Sequence, residues 1–148
     1  MNRHAALLLC LWLVPAALAG AAEPPAPPPD LSAEDLLARE ARHDPALVVL
    51  DVRTPAEFAE GHVPGAINVP HDEVAQRLDE LAPLRDKDVV VYCKSGRRAG
   101  LALKVLGEHG YTRLAHLSGD MQGWTAAGRP VERAPDAPAT APAAAPKP

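Results

Sequence analysis

Asp88-Val89-Val90-Val91-Tyr92-Cys93-Lys94-Ser95-Gly96-Arg97-Arg98-Ala99 is the stretch that decides the fold. After Asp88 it runs through β-branched and apolar residues without alternation, as a central strand buried on both faces does. The strand delivers the chain directly to Cys93. A tight loop, Lys94 to Arg98, comes next, and a helix is predicted from Ala99. Ala99, Ala102, Leu103 and Leu106 share one face of that helix, and Gly110 is placed to end it. Ligands bind beyond the carboxyl ends of strands in open parallel sheets, so Cys93 occupies the position of an active site.

Outward from this stretch the same alternation repeats. Ser32 followed by Asp35 starts a helix that Leu36, Leu37 and Ala41 continue until His43-Asp44-Pro45 stops it. Leu47 to Val52 is a second continuous apolar run, and a short helix follows at Pro55 to Glu60, with Pro55 in its first turn. Ala66 to Val69 reads as a short strand ended by Pro70. Asp72 to Leu81 carries Val74, Leu78 and Leu81 at helical spacing. Arg113 to Leu117 is the last strand and Met121 to Ala127 the last helix. Strands alternating with helices specify an α/β fold: a central parallel sheet flanked by helices on both faces.

The loop itself points to anion chemistry. Successive backbone N–H groups from Cys93 to Arg98 can curl inward, and the following helix N-terminus adds positive potential. Lys94, Arg97 and Arg98 bring three cations to one loop of an otherwise acidic chain, and positive surroundings favour a cysteine thiolate. Gly96 suits a turn that needs positive φ or no side chain. A buried structural cysteine would need none of this.

Composition sets the limits around that site. The 148 residues suit one domain, and aromatic residues, at 3%, are scarce enough that Val, Leu, Ile and Ala must build the core. Residues 1–22 read as a cleaved Sec-type signal peptide: Arg3 and His4, the apolar stretch Ala5 to Val14, Pro15, then small residues, with cleavage after Ala19 or Ala22. The apolar run is too short for a membrane anchor. Residues 23–30 form a Pro-rich linker, 31–132 the folded domain, and 133–148 a disordered tail rich in Ala and Pro. The net charge of −4 becomes −5 once Arg3 leaves with residues 1–22, which argues against a nucleic-acid partner. Cys10 leaves too, so a periplasmic or secreted protein would keep Cys93 alone, a reactive thiol rather than half of a disulfide.

Three blocks then carry a resemblance. Asp51-Val52-Arg53, Glu57-Phe58 and Gly61 to Pro70 form the first, Tyr92 to Ala99 the second, and Leu117-Ser118-Gly119, Trp124 and Gly128 to Val131 the third. In this order and spacing the chain resembles the rhodanese family. The resemblance implies a rhodanese-like parallel sheet of about five strands and a thiosulfate sulfurtransferase. Cys93 would take the outer sulfur of a small anionic donor, hold it as a persulfide, and pass it to cyanide or a thiol. Lys94, Ser95, Gly96, Arg97 and Arg98 would cradle that sulfur. No metal, cofactor or stable membrane anchor is expected, and a monomer is. Gly119-Asp120 stands where the family commonly has Gly-Gly, which leaves the identity of the substrate open.

The supporting residues have quieter roles. Asp51 and Arg53 are expected as a fixed pair beneath the site. Glu57 is expected to pair with Arg97 or Arg98, because the motif turn and the loop share one sheet edge. His62 fits a hydrogen-bonded turn residue, Trp124 fits core packing, and Ser95 has no His-Asp arrangement to activate it. Two other readings stay open. A cysteine phosphatase loop has Arg at the sixth place after Cys, where this chain has Ala99, so the loop is a residue short for a phosphate ester. A non-catalytic binding or sulfide-sensing module would use the same domain without turnover.

Overall fold

The structure, a computed structural model, describes residues 26–133. The expected signal peptide, residues 23–25 of the linker and residues 134–148 of the tail lie outside the described residues. In chain order the elements are β1 (Asp30–Leu31), α1 (Ala33–Ala41), β2 (Leu47–Asp51), α2 (Pro55–Glu60), β3 (Ile67–Asn68), α3 (Leu78–Leu81) with a 3₁₀ turn at Ala82–Leu84, β4 (Asp88–Tyr92), α4 (Arg97–Glu108), β5 (Leu114–Leu117) and α5 (Asp120–Ala126). The five strands form one sheet in the order β1-β5-β4-β2-β3, and every pairing is parallel. The α/β reading therefore holds, with the two-residue strands β1 and β3 on the outside.

Side-chain alternation along β2 and β4 divides the core in two. Leu50, Val89, Val91 and Cys93 face one layer, where α4 contributes Ala99, Ala102, Leu103 and Leu106. Val49, Val90 and Tyr92 face the other, against Ala33 and Leu36 of α1 and Met121 and Trp124 of α5. The unbroken apolar runs follow from this: both faces are covered, so neither set of side chains can be polar. Trp124 is buried, and its indole Nε1–H donates to the Pro130 carbonyl at 2.7 Å.

Local chemistry fixes the helix starts. Ser32 caps α1, its hydroxyl accepting from Asp35 N at 3.0 Å. Thr54 and Glu57 form a capping box around α2, with Pro55 just inside. Three expectations need correction. The expected helix from Asp72 is helical only at Leu78–Leu81; tight turns such as Glu73 N to Pro70 O, 2.8 Å, carry the chain before it. Val74 and Leu81 are buried all the same, so the apolar spacing is satisfied without a continuous helix. The helix after the cysteine begins at Arg97 rather than Ala99, because the chain turns at Gly96 (φ 94°) and the Gly96 carbonyl already accepts from Gly100 N at 2.9 Å. At the N-terminal side, the expected linker runs into the sheet: Asp30 belongs to β1, and the Pro29 carbonyl accepts from His116 N at 3.0 Å. An edge strand tolerates that entry, since proline lacks only a donor.

Candidate active site

Cys93 follows β4 directly and is 1% exposed. Its sulfur is met from the loop by the Gly96 N–H, which donates to Sγ at 3.1 Å. Positive φ at Gly96 turns that N–H back toward the cysteine. A side chain there would also collide, since a Cβ would sit 3.2 Å from Asp120 Oδ2. Lys94, Ser95 and Arg97 are exposed, whereas Arg98 is half-buried.

The start of α5 holds the loop from below. Met121 N donates to the Cys93 carbonyl at 3.0 Å and Gln122 N to the Lys94 carbonyl at 3.1 Å. First-turn N–H groups have no partner within their own helix, so here they serve the loop. Asp120 completes the contact: its Oδ1 accepts from Cys93 N at 2.8 Å.

Glu57, at the third position of α2, accepts from both guanidinium nitrogens of Arg98, at 2.6 and 2.8 Å. Of the two arginines left open by the sequence, Arg98 makes this pair. The Arg98 hydrogen bond is the main cause that holds the Glu57 carboxyl down at about 2. Glu57 in turn raises the Arg98 pKa, with a smaller contribution from the Cys93 sulfur.

Asp51 and Arg53 lie where β2 ends, next to Cys93's strand. Arg53 Nη2 meets Asp51 Oδ2 at 2.6 Å and donates to the Gly61 carbonyl at 2.8 Å; its Nε lies 3.0 Å from both Asp51 oxygens. Asn68 Nδ2 donates to the Asp51 and Arg53 carbonyls. The Tyr92 hydroxyl accepts from Val63 N at 3.0 Å, and burial pushes that phenol's pKa upward. The pair thus ties β2 to the turn at Gly61 to Val63. His62 is buried in that turn, stacked on Phe58 with ring centroids 3.6 Å apart, its Nδ1 2.8 Å from the Phe58 carbonyl. Its backbone pairs with Glu132 in an antiparallel bridge.

Asp120, the departure that bears on the substrate, and His116, which its sequence context leaves unmarked, both reach the loop. His116 Nε2 lies 3.0 Å from Asp120 Oδ2, and His116 Nδ1 lies 2.9 Å from Asp30 Oδ1. The Gly119-Asp120 departure from Gly-Gly was the available signal. Among the described residues no cluster of His, Cys, Asp and Glu could hold a metal ion, and no helix is long and apolar enough to cross a membrane. The arrangement can present one sulfur nucleophile to an anion, with an N–H on the sulfur and a guanidinium beside it.

Comparison with known proteins agrees with this geometry. The family model described as a Rhodanese-like domain matches residues 32–127. The chain is similar to a sulfurtransferase of Allochromatium vinosum, 37% identical over 102 residues that cover 69% of this chain and 92% of that protein. It is similar also to the thiosulfate:glutathione sulfurtransferase of Saccharomyces cerevisiae, 34% identical, covering 66% of this chain and 78% of that protein. Among solved structures, a rhodanese-related protein from Thermoplasma volcanium superposes with a TM-score of 0.61 at 32% identity, covering 70% of this chain and 97% of that one.

Proposed function

The chain belongs to the rhodanese-like domain family, and from that premise we propose that it transfers a sulfane sulfur from thiosulfate through a persulfide on Cys93. Several of its relatives are named as sulfurtransferases, which supports a transferase as the class. One observation carries the finer reading: the Gly96 N–H is aimed at Cys93 Sγ at 3.1 Å.

The chemistry balances on these groups. The Cys93 thiolate attacks the outer sulfur of thiosulfate; the new S–S bond forms as the old one breaks, and sulfite departs with both electrons of that bond. One negative charge enters on Cys93 and one remains, now on the terminal persulfide sulfur. The Gly96 N–H and Arg98 hold it in place of water. An acceptor, cyanide or a thiolate, then takes the outer sulfur and returns the Cys93 thiolate. No general base is required, because a thiolate is already the nucleophile.

Mass spectrometry of the reduced protein with thiosulfate tests this. A gain of one sulfur, about 32 Da, on the Cys93 peptide that cyanide removes is expected. Cys93→Ser should show neither change. A reduced, reagent-accessible Cys93 that gains no sulfur from any sulfane donor would leave the domain as a binding or sensing module. We further read the protein as exported, on the strength of residues 1–22. The intact mass of the mature protein checks it: loss of the residues up to Ala19 or Ala22 is expected, and a mass retaining Met1 would count against export.

A further inference from the structure

Cys93's backbone is connected to the protein surface through three acidic and imidazole groups in series. Cys93 N donates to Asp120 Oδ1 at 2.8 Å, Asp120 Oδ2 faces His116 Nε2 at 3.0 Å, and His116 Nδ1 faces Asp30 Oδ1 at 2.9 Å. Asp120 is 3% exposed, whereas the Asp30 side chain is 69% exposed. Asp120 also takes a φ of 52°, a left-handed conformation that a side chain adopts only with support around it. The support is this set of bonds.

Both ring nitrogens of His116 therefore face carboxylate oxygens, which only accept. A neutral imidazole has one N–H and serves one of them; the imidazolium serves both. The charges facing the ring are Asp30 from β1 and Asp120 from α5. Lys104 and Glu108 of α4 line the same groove as Asp30 and His116. With the ring protonated, one of its two direct carboxylate partners is compensated. With the ring neutral, Asp120 keeps a full charge one hydrogen bond from Cys93, at the place where a dianion must arrive.

The dyad touches the sulfur's donor as well. A Cβ on Gly96 would lie 3.2 Å from Asp120 Oδ2 and 3.6 Å from His116 Cε1, so the two side chains leave room there for a glycine only. The Gly96 N–H is the one that reaches Cys93 Sγ. Asp120 thus holds the loop at the Cys93 amide and lies close to Gly96.

We propose that His116 and Asp120 are positioning residues for the Cys93 loop, and that the charge on His116 sets how well the site accepts an anionic sulfur donor. The role rests on the sulfurtransferase reading for its substrate, but its electrostatic core does not. Protonated His116 offsets Asp120 and lets the dianion approach. Loss of that proton raises KM for thiosulfate, with kcat less affected.

The test uses the full chain with two readouts across a pH series. The first is the Cys93 amide resonance in nitrogen-15 NMR; the second is thiosulfate KM and kcat. In the wild type the Cys93 amide should follow the titration of the His116 ring, and KM should rise about tenfold across it, as an uncompensated charge close to the site would produce. His116→Gln should abolish both pH steps and show the high KM throughout. Asp120→Asn keeps an acceptor for the Cys93 amide without the charge; it should lower KM across the series and move the remaining KM step to lower pH, while turnover remains measurable. Retention of the wild-type pH course in both variants would overturn the proposal. So would loss of turnover in the variants when the wild type itself has no pH step, because that marks a purely structural contact. If the wild type takes up no sulfur yet its Cys93 amide follows His116, the sulfurtransferase reading fails and the coupling stands.

Discussion

Glu57 and Arg98 meet in a two-point carboxylate–guanidinium pair at 2.6 and 2.8 Å, joining the first turn of α2 to the first turn of α4 beside Cys93. The Glu57 carboxyl is held at about 2, chiefly by this bond, against an ordinary value of 4.5. A depressed carboxyl contributes stability in full above about pH 4.5 and loses it as pH falls through about 2. Glu57→Gln should therefore lower unfolding stability at pH 7 by about 1 kcal/mol, as expected of a well-aligned but partly exposed pair. Urea midpoints of the variant and wild type should converge as the solution is acidified. The variant should also use thiosulfate less well at neutral pH, because Arg98 loses its anchor.

Gly96→Ala places a side chain at φ 94° and a Cβ 3.2 Å from Asp120 Oδ2. Its cost in stability should be modest, about 1–2 kcal/mol by thermal or urea unfolding. Its cost in sulfur transfer should be larger, about a hundredfold in kcat/KM, because the N–H on Cys93 Sγ is displaced. Equal losses in both would mean that the loop serves folding alone.

Arg53→Met strips the partner from Asp51, which is fully buried. Removing one member of a buried ion pair leaves an unpaired charge, and the expected loss is about 3–5 kcal/mol in chemical denaturation. Asp51→Asn with Arg53→Met should recover part of it. The double-mutant cycle measures the coupling.

Arg97 contrasts with its neighbour: it is exposed, and among the described residues it takes part in no ion pair. Arg97→Gln should lower kcat/KM for thiosulfate about threefold at low salt, and the difference should fade toward about 1 M salt as screening shortens the range of the field. An uncharged thiol reagent should react with Cys93 at nearly the wild-type rate in this variant. Arg98→Gln should impair the site at every salt concentration, since its loss also frees Glu57.

The parallel sheet was legible because β2 and β4 are buried on both faces and their apolar runs say so. The place of Cys93 followed from the same runs. Helical spacing at Val74, Leu78 and Leu81 misled because burial needs only that side chains recur on one side, and consecutive turns achieve that as well as a helix does. The start of α4 was set by backbone conformation at Gly96, which side-chain patterns do not encode. β1 hid in a proline-rich segment because two residues are too few for periodicity. Glu57 was readable as a partner of the loop, since its motif and the cysteine end neighbouring strands. The bonds from Asp30 through His116 to Asp120 join residues as far apart as 30 and 120, each ordinary in its own surroundings. Only the departure at Asp120 marked the spot.

The two short outer strands have a consequence for how copies of this chain meet. A sheet margin with a long row of free N–H and carbonyl groups templates a neighbour's strand, and from there aggregation follows. Here both margins, β1 at Asp30–Leu31 and β3 at Ile67–Asn68, are two residues long, with Pro29 before one and Pro70 after the other. Prolines carry no N–H to extend either row. The outer strands themselves thus offer almost no row on which another chain's strand could build, and the long apolar segment β4 lies inside, paired along its length with β2 and β5.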